Sequence, residues 1–143
     1  MTDLTPRRVA TRPSWLISRA YGIAHRLLGE AFGKAGMRGY HYRLLAALEE
    51  FGPASQAALG RHTAIDRSDV VAALNELEAG GLVKRAADPA DRRRNVITLT
   101  PAGRKGLGAL DRVVDDVQEQ LLAPLSARER AQLVRLLSRL VER

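Results

Sequence analysis

Residues 82–103 read LVKRAADPADRRRNVITLTPAG, and the change of period within and around them decides the fold. Just upstream, Val70, Leu74 and Leu77 are four and three apart, the period of one helix face. That pattern stops at Gly80-Gly81, where glycine allows a left-handed terminus. From Leu82 to Ala86 the alternation shortens to two, which predicts a strand. Asp88-Pro89-Ala90-Asp91 is turn chemistry. Asn95 to Thr100 predicts the returning strand, with Ile97 and Leu99 on one face and Val96 and Thr98 on the other. The stretch is therefore a hairpin whose tip carries Arg92, Arg93 and Arg94. Thr100-Pro101 restarts the helical period, a capping hydroxyl followed by proline at the first helical position.

Working upstream, Ser55 is placed to cap a short helix over 56–62. Thr63-Ala64-Ile65 breaks it. Asp66 then opens a helix over 67–79, with Asp69 three residues on, close to a capping box. A helix over 40–51 ends at Gly52-Pro53. Further out, Ser14 is expected to cap a helix from Trp15 to about Phe32, with Leu16, Ala20, Ile23 and Leu27 on one stripe. Residues 1–13 read as an extended basic arm containing Arg7, Arg8 and Arg12. Downstream, Leu107, Leu110, Val114, Val117 and Leu121 form a heptad seam in a helix reaching about Leu122. Ser126 and Glu129 form a capping box for a last helix with Leu133, Leu136, Leu137, Leu140 and Val141 on a broad apolar face.

Composition limits what this chain does. Its 143 residues suit one domain with a real core. Apolar residues make up 45%, against disorder. There is no cysteine, which removes disulfides, thiolate catalysis and Cys-based metal centres. No apolar run approaches a membrane span of about 18 residues, and the first residues hold no signal-like apolar stretch. A soluble cytoplasmic protein is the expectation. His25, His41 and His62 are scattered, so no metal site is expected. Gly103, Gly106 and Gly108 fall inside a helix and not between a strand and a helix, so they are no nucleotide loop. No nucleophile–base order or carboxylate pair points to an enzyme, and no cofactor is implied. The net charge of +7 favours a polyanionic partner, and aromatics at 4% are too few for single-strand stacking.

A short helix, a break, a second helix and an arginine-tipped hairpin are the parts of a winged helix–turn–helix. The helix from Arg67 has the width that a DNA major groove admits. Arginine at the hairpin tip suits a narrow minor groove, where the negative potential is deepest. Arg67, Ser68 and Asp69 occupy the first turn of that helix, where base edges would be met. Asp69 is read either as a capping carboxylate or as a group that repels phosphate at wrong sites. Asn75, two turns on, is a candidate phosphate contact. Ser55 and Gln56 begin the preceding helix, whose free amides suit a phosphate; simple capping accounts for Ser55 equally.

Asp88-Pro89-Ala90-Asp91-Arg92-Arg93, followed by Leu99-Thr100-Pro101-Ala102-Gly103, resembles the wing signature of the MarR (multiple antibiotic resistance regulator) family. Leu77-Glu78-Ala79-Gly80-Gly81-Leu82-Val83 is similar to that family's transition from recognition helix to wing. The resemblance implies a mainly α fold with a small β-hairpin wing. It also implies an intertwined homodimer through its N- and C-terminal helices, binding double-stranded DNA as a regulator, most commonly a repressor. One domain over 1–143 is expected, with dimerisation helices at 14–33 and 104–143 and a DNA-binding lobe at 40–100. Within the wing, the resemblance implies that Asp91 and Arg92 pair, leaving Arg93 to enter the groove and Arg94 to meet phosphate. It implies a ligand cleft for phenolic or aromatic carboxylate effectors, for which Trp15, Arg19, His25 and Arg26 are the candidates. Trp15, Arg19 and Arg26 share a helix face, whereas Arg19 and His25 lie about 120° apart. A member without an effector, or a helical module whose basic hairpin binds an acidic protein, are the alternatives.

Overall fold

The computed structural model describes residues 4–142. The terminal positions of the arm and of the 1–143 domain, 1–3 and 143, lie outside the described residues. The chain divides into two compact units, 29–113 and the two flanking segments that end at 28 and begin at 114.

In the 29–113 unit, α3 (Gly39–Phe51), β1 (Ala54–Ser55), α4 (Gln56–Thr63), α5 (Arg67–Ala79), β2 (Val83–Ala87) and β3 (Asn95–Leu99) follow in order. The helical period of the sequence is read out directly as burial. Leu44, Leu45 and Leu48 of α3, Leu59 of α4, and Val70, Leu74 and Leu77 of α5 are buried with Val83 and Ile97 of the strands. Each such side chain contributes about 1.5–3 kcal/mol by leaving water.

The turn between α4 and α5 is built from local hydrogen bonds. Ser55 Oγ accepts from the Ala58 N–H at 3.2 Å and caps α4. At the other end, Ala64 adopts the left-handed region at φ 54° and stops the helix. Arg43 Nη1 donates to the Thr63 carbonyl at 2.9 Å, satisfying a helix-end acceptor. The capping box expected at α5 does not form. Asp66 makes no side-chain cap; its Oδ2 accepts from the Ser68 hydroxyl at 2.9 Å. Asp69 is one methylene shorter than the glutamate that normally reaches back from this position.

Gly80-Gly81 terminates α5 as expected. The Leu82 N–H bonds to the Leu77 carbonyl and the Gly81 N–H to that of Glu78, with Gly81 at φ 73°. The strands form an antiparallel sheet in the order β1-β3-β2, with Val83 opposite Leu99 and Arg85 opposite Ile97. The third strand, β1, was not anticipated. Two residues pairing Ala54 with Ile97 carry no periodicity to read.

The helix α6 (Pro101–Leu121) starts where Thr100-Pro101 predicts. Thr100 Oγ1 donates to the Gly81 carbonyl at 2.6 Å and accepts from the Gly103 N–H at 3.0 Å. That single hydroxyl ties the end of α5, the base of the hairpin and the first turn of α6 together.

The other unit contains α1 (Arg7–Ala10), α2 (Pro13–Lys34) up to residue 28, the end of α6, and α7 (Ala127–Val141). Two expectations are corrected here. Part of the arm is a one-turn helix, because the Pro6 carbonyl accepts from the Val9 and Ala10 N–H groups. Ser14 does not cap α2: Pro13 takes the first helical position and the Arg12 carbonyl accepts the first helical bond, from Leu16. The Ser126–Glu129 capping box forms as read, at 3.2 and 2.9 Å. Hydrogen bonds from Ser126, the backbone N–H foremost, hold the Glu129 carboxyl below its ordinary range. The apolar faces of α2 and α7 remain open in the single chain. Leu16 is 52% exposed, Ile17 45%, Leu136 48% and Leu140 48%.

Among the described residues, no helix is long and apolar enough to cross a membrane, and no group of histidine and carboxylate side chains could hold a metal ion.

Candidate nucleic-acid interface

The hairpin tip is shaped by its two aspartates. Asp88 Oδ1 accepts from the Ala90 N–H at 2.9 Å, and Asp91 Oδ1 from the Arg93 N–H at 3.1 Å. Each carboxylate thus closes a turn onto the residue two further along. The Asp88 N–H bonds to the Arg94 carbonyl at 2.8 Å and closes the loop. The acidic residues therefore build the tip, and the arginines are left to face outward.

This geometry corrects the expected pairing of Asp91 with Arg92. The turn brings Arg93 back over the carboxylate, with Nε 3.4 Å from Asp91 Oδ1. Arg92, at the corner, has no ion pair among the described residues. The Arg93 side chain is 92% exposed, so the contact with Asp91 is a weak surface pair.

Between the tip and the helix–turn–helix lies a groove of about 610 Å³. Ser55, Gln56 and Arg61 line one side, Arg67 stands at the start of α5, and Arg93 and Arg94 come from the hairpin. Among the described residues, four guanidinium groups and no carboxylate border this space. Ser55 and Gln56 bring the start of α4 to the groove, where the helix dipole adds positive potential. The concavity suits a polyanion by charge and by donors.

Five of the sequence-predicted residues meet here: Ser55, Gln56, Arg67, Arg93 and Arg94. Ser68, Asp69, Asn75 and Arg92 do not line it. Ser68 is exposed and bonded to Asp66. Asn75 is exposed, and its Oδ1 accepts from Arg85 Nη2 at 2.7 Å. Arg61, which the sequence places facing solvent or near the DNA backbone, and Asn95, which the sequence does not single out, both line the groove. Helical spacing holds a signal for Arg61, since Ala57, Gly60 and Arg61 recur on one face of α4 and all line the groove.

The effector candidates separate. Trp15 and Arg19 line a second cavity of about 470 Å³ with Leu4, Thr5, Pro6 and Val9. His25 and Arg26 are not among its lining residues; His25 stacks on Tyr21 with ring centroids 5.5 Å apart. His41 is buried at 4% exposure, and burial is the main force lowering its pKa. His62 stacks on Phe51 at 4.1 Å.

With this geometry in place, similarity to known proteins is specific. Residues 35–94 match the family model described as MarR family. The chain is 29% identical to the HTH-type transcriptional repressor NicR of Pseudomonas putida, over 98% of this chain and 89% of that protein. A probable transcriptional regulator from Pseudomonas aeruginosa, known from its crystal structure, is 35% identical, with a TM-score of 0.80 over 91% of this chain and 97% of that one. The structure of Bordetella bronchiseptica BpsR, described in terms of regulation of its DNA binding by 6-hydroxynicotinic acid, is 26% identical. It aligns with a TM-score of 0.83 over 97% of this chain and 99% of that one.

Proposed function

The chain belongs to the MarR family of transcriptional regulators, and from that premise we propose a sequence-specific binder of double-stranded DNA that works as a homodimer. The observation that carries this reading is the groove in which Arg61, Arg67, Arg93 and Arg94 converge without a carboxylate. In it α5 enters the major groove by its first turn, and the hairpin reaches the adjacent minor groove. Arg67 reads a base edge, Arg93 enters the minor groove, and Arg94 and the start of α4 hold phosphates.

The homodimer follows from the open faces of α2 and α7, which need a partner to leave water. Helices from 14–33 and 104–143 form the interface, and 40–100 is the DNA-binding lobe. Two readers related by a two-fold axis about one DNA turn apart, roughly 34 Å, require a pseudo-palindromic operator. Repression is the favoured outcome, in line with the name of NicR.

The regulatory part of the proposal is a small aromatic carboxylate or phenolic effector. BpsR, with its 6-hydroxynicotinic acid, supports that class. Trp15 and Arg19 bordering one cavity supply an aromatic surface and a carboxylate partner. An effector that prefers a dimer with wrongly spaced readers shifts the population away from DNA.

Electrophoretic shift of the DNA upstream of the chain's own gene tests the core of the proposal. A retarded band that weakens with salt and survives competition by unrelated duplex is expected. A protein indifferent to every duplex in about 50 mM salt, where even non-specific binding is strong, overturns it. Unchanged Trp15 fluorescence and melting temperature across a panel of aromatic acids overturn the effector reading alone.

A further inference from the structure

Arg85 occupies a position where a charge is unexpected. It lies in β2 directly opposite Ile97, and opposed residues of an antiparallel ladder share a face. Ile97 is fully buried, as is Val83 two residues before Arg85. Arg85 is half-buried. Its guanidinium is held by a neutral amide: Nη2 donates to Asn75 Oδ1 at 2.7 Å. Its Nε is buried with no hydrogen-bond partner among the described residues. A half-buried cation with an orphaned donor is a poor device for stability.

The same residue is held a second time through its backbone. Because β2 is an edge strand, the outward Arg85 N–H is free of the sheet, and it donates to Glu78 Oε2 at 3.2 Å. Asn75 and Glu78 are three residues apart on α5 and so project from one helix face. One helix face thus grips one strand residue by side chain and by backbone. The helix carries Arg67 at its start, and the strand leads to Arg93 and Arg94 at the tip.

We propose that Arg85 is a positioning residue for DNA recognition: gripped by Asn75 and Glu78, it fixes the angle between the recognition helix and the wing. The width of the arginine-lined groove then depends on this contact, and Asn75 serves it instead of holding a phosphate. The inference rests on the DNA-binding reading of that groove.

The test uses a duplex selected by the wild-type protein from a random-sequence pool. Arg85→Met and Asn75→Ala each weaken binding by about tenfold, and the double variant loses no more than either single one. The slope of log affinity against log salt stays as in wild type, whereas Arg93→Ala, a direct contact, lowers it by about one. Asn75→Asp keeps binding within about threefold, since a carboxylate still accepts from Arg85; at a phosphate contact it would repel the duplex. Should Arg85→Met fold poorly, the two Asn75 variants carry the test alone. Additive losses, a shallower salt slope for Arg85→Met, or wild-type affinity in the single variants overturn the proposal. A wild-type protein that selects no duplex overturns the DNA reading itself, and this inference with it.

Discussion

His41 and Glu76 join α3 to α5 through a contact of 2.8 Å between Nε2 and Oε2. The other ring nitrogen, Nδ1, accepts from the Arg38 backbone N–H at 3.0 Å. An acceptor at Nδ1 carries no proton, so the ring is neutral and Nε2–H donates to Glu76. Glu76 also pairs with the Arg38 side chain. Helix α5 is thereby fastened to the start of α3 through a histidine that must stay uncharged.

Stability should therefore fall with acid in a defined window. Burial lowers the His41 pKa below 6.5, against the raising effects of Glu76, and the Arg38 charge lowers it slightly further. In that window the unfolded chain binds the proton more readily than the folded one. The stabilisation is complete above 6.5 and declines as pH falls toward the folded value. The melting temperature of wild type is expected to drop by a few degrees more than that of His41→Gln between pH 7 and about 5.5. Equal acid sensitivity of the two proteins would contradict the neutral-ring geometry.

Gly103→Ala should be among the most damaging single substitutions. A Cβ there would stand 2.0 Å from the Leu82 carbonyl oxygen and 2.7 Å from Leu99 Cδ1. The first obstacle is backbone, held by the Thr100 N–H at 3.1 Å, so it cannot give way locally. A loss of about 2–4 kcal/mol in chemical denaturation is expected. At Gly108, in the same helix, a Cβ meets nothing within 4 Å. Gly108→Ala should add about 0.5–1 kcal/mol from helix propensity.

These two glycines show where reading the sequence succeeds and where it stops. The wing was legible because a period of 3.6 gives way to 2 and back, punctuated by Gly81 and Pro101. The Ser126–Glu129 box was legible because its three-residue spacing is its mechanism. Gly103 was recognisable as part of a signature, but its reason, the close approach of Leu82, exists only in three dimensions. Asp91 was assigned the wrong arginine because the choice between adjacent residues depends on the turn. Asn75 reads as a candidate phosphate contact because its partner, Arg85, lies ten residues on, in a different element. Arg61 reads from sequence only as facing solvent or near the DNA backbone, because the groove that gives it a role is closed by the distant hairpin.

Ala64 stores a small strain that can be released. It is exposed, and its backbone sits at φ 54°, ψ 36°. An L-residue in this region costs about 1–2 kcal/mol, while glycine adopts it freely. Ala64→Gly also loosens the unfolded chain, at a cost of about 0.4–1 kcal/mol. A net gain of roughly 0.5 kcal/mol is expected, with Ala64→Val losing more than 1 kcal/mol because a β-branched side chain tolerates this region worst. Denaturation midpoints that rank valine above glycine would refute the assignment of the turn.

Arg93→Ala separates folding from recognition. The side chain is 92% exposed and, among the described residues, holds only the weak pair with Asp91. The Asp91 turn is closed by the Arg93 backbone N–H, which alanine retains. The melting temperature should stay within about a degree of wild type, since surface changes of this kind are within about 0.5 kcal/mol. Affinity for a selected duplex should fall by about tenfold to a hundredfold, the loss expected when a minor-groove arginine is removed. Retained affinity with an unchanged salt slope would exclude the hairpin tip from the interface.

The open apolar faces bear on assembly. Leu136 and Leu140 are four residues apart on α7, hence on one helix face, and each is 48% exposed in the single chain. If that face is covered by a second copy, a charge placed there meets its own symmetry mate or buried apolar surface, and either is costly. Leu136→Glu should therefore shift sedimentation from dimer toward monomer at micromolar concentration. Because the half-sites would then be bound independently, affinity for a two-half-site duplex should fall far more than affinity for a single half-site. Solvent exposure in an isolated chain predicts the opposite outcome, an unchanged sedimentation coefficient and unchanged binding to both duplexes.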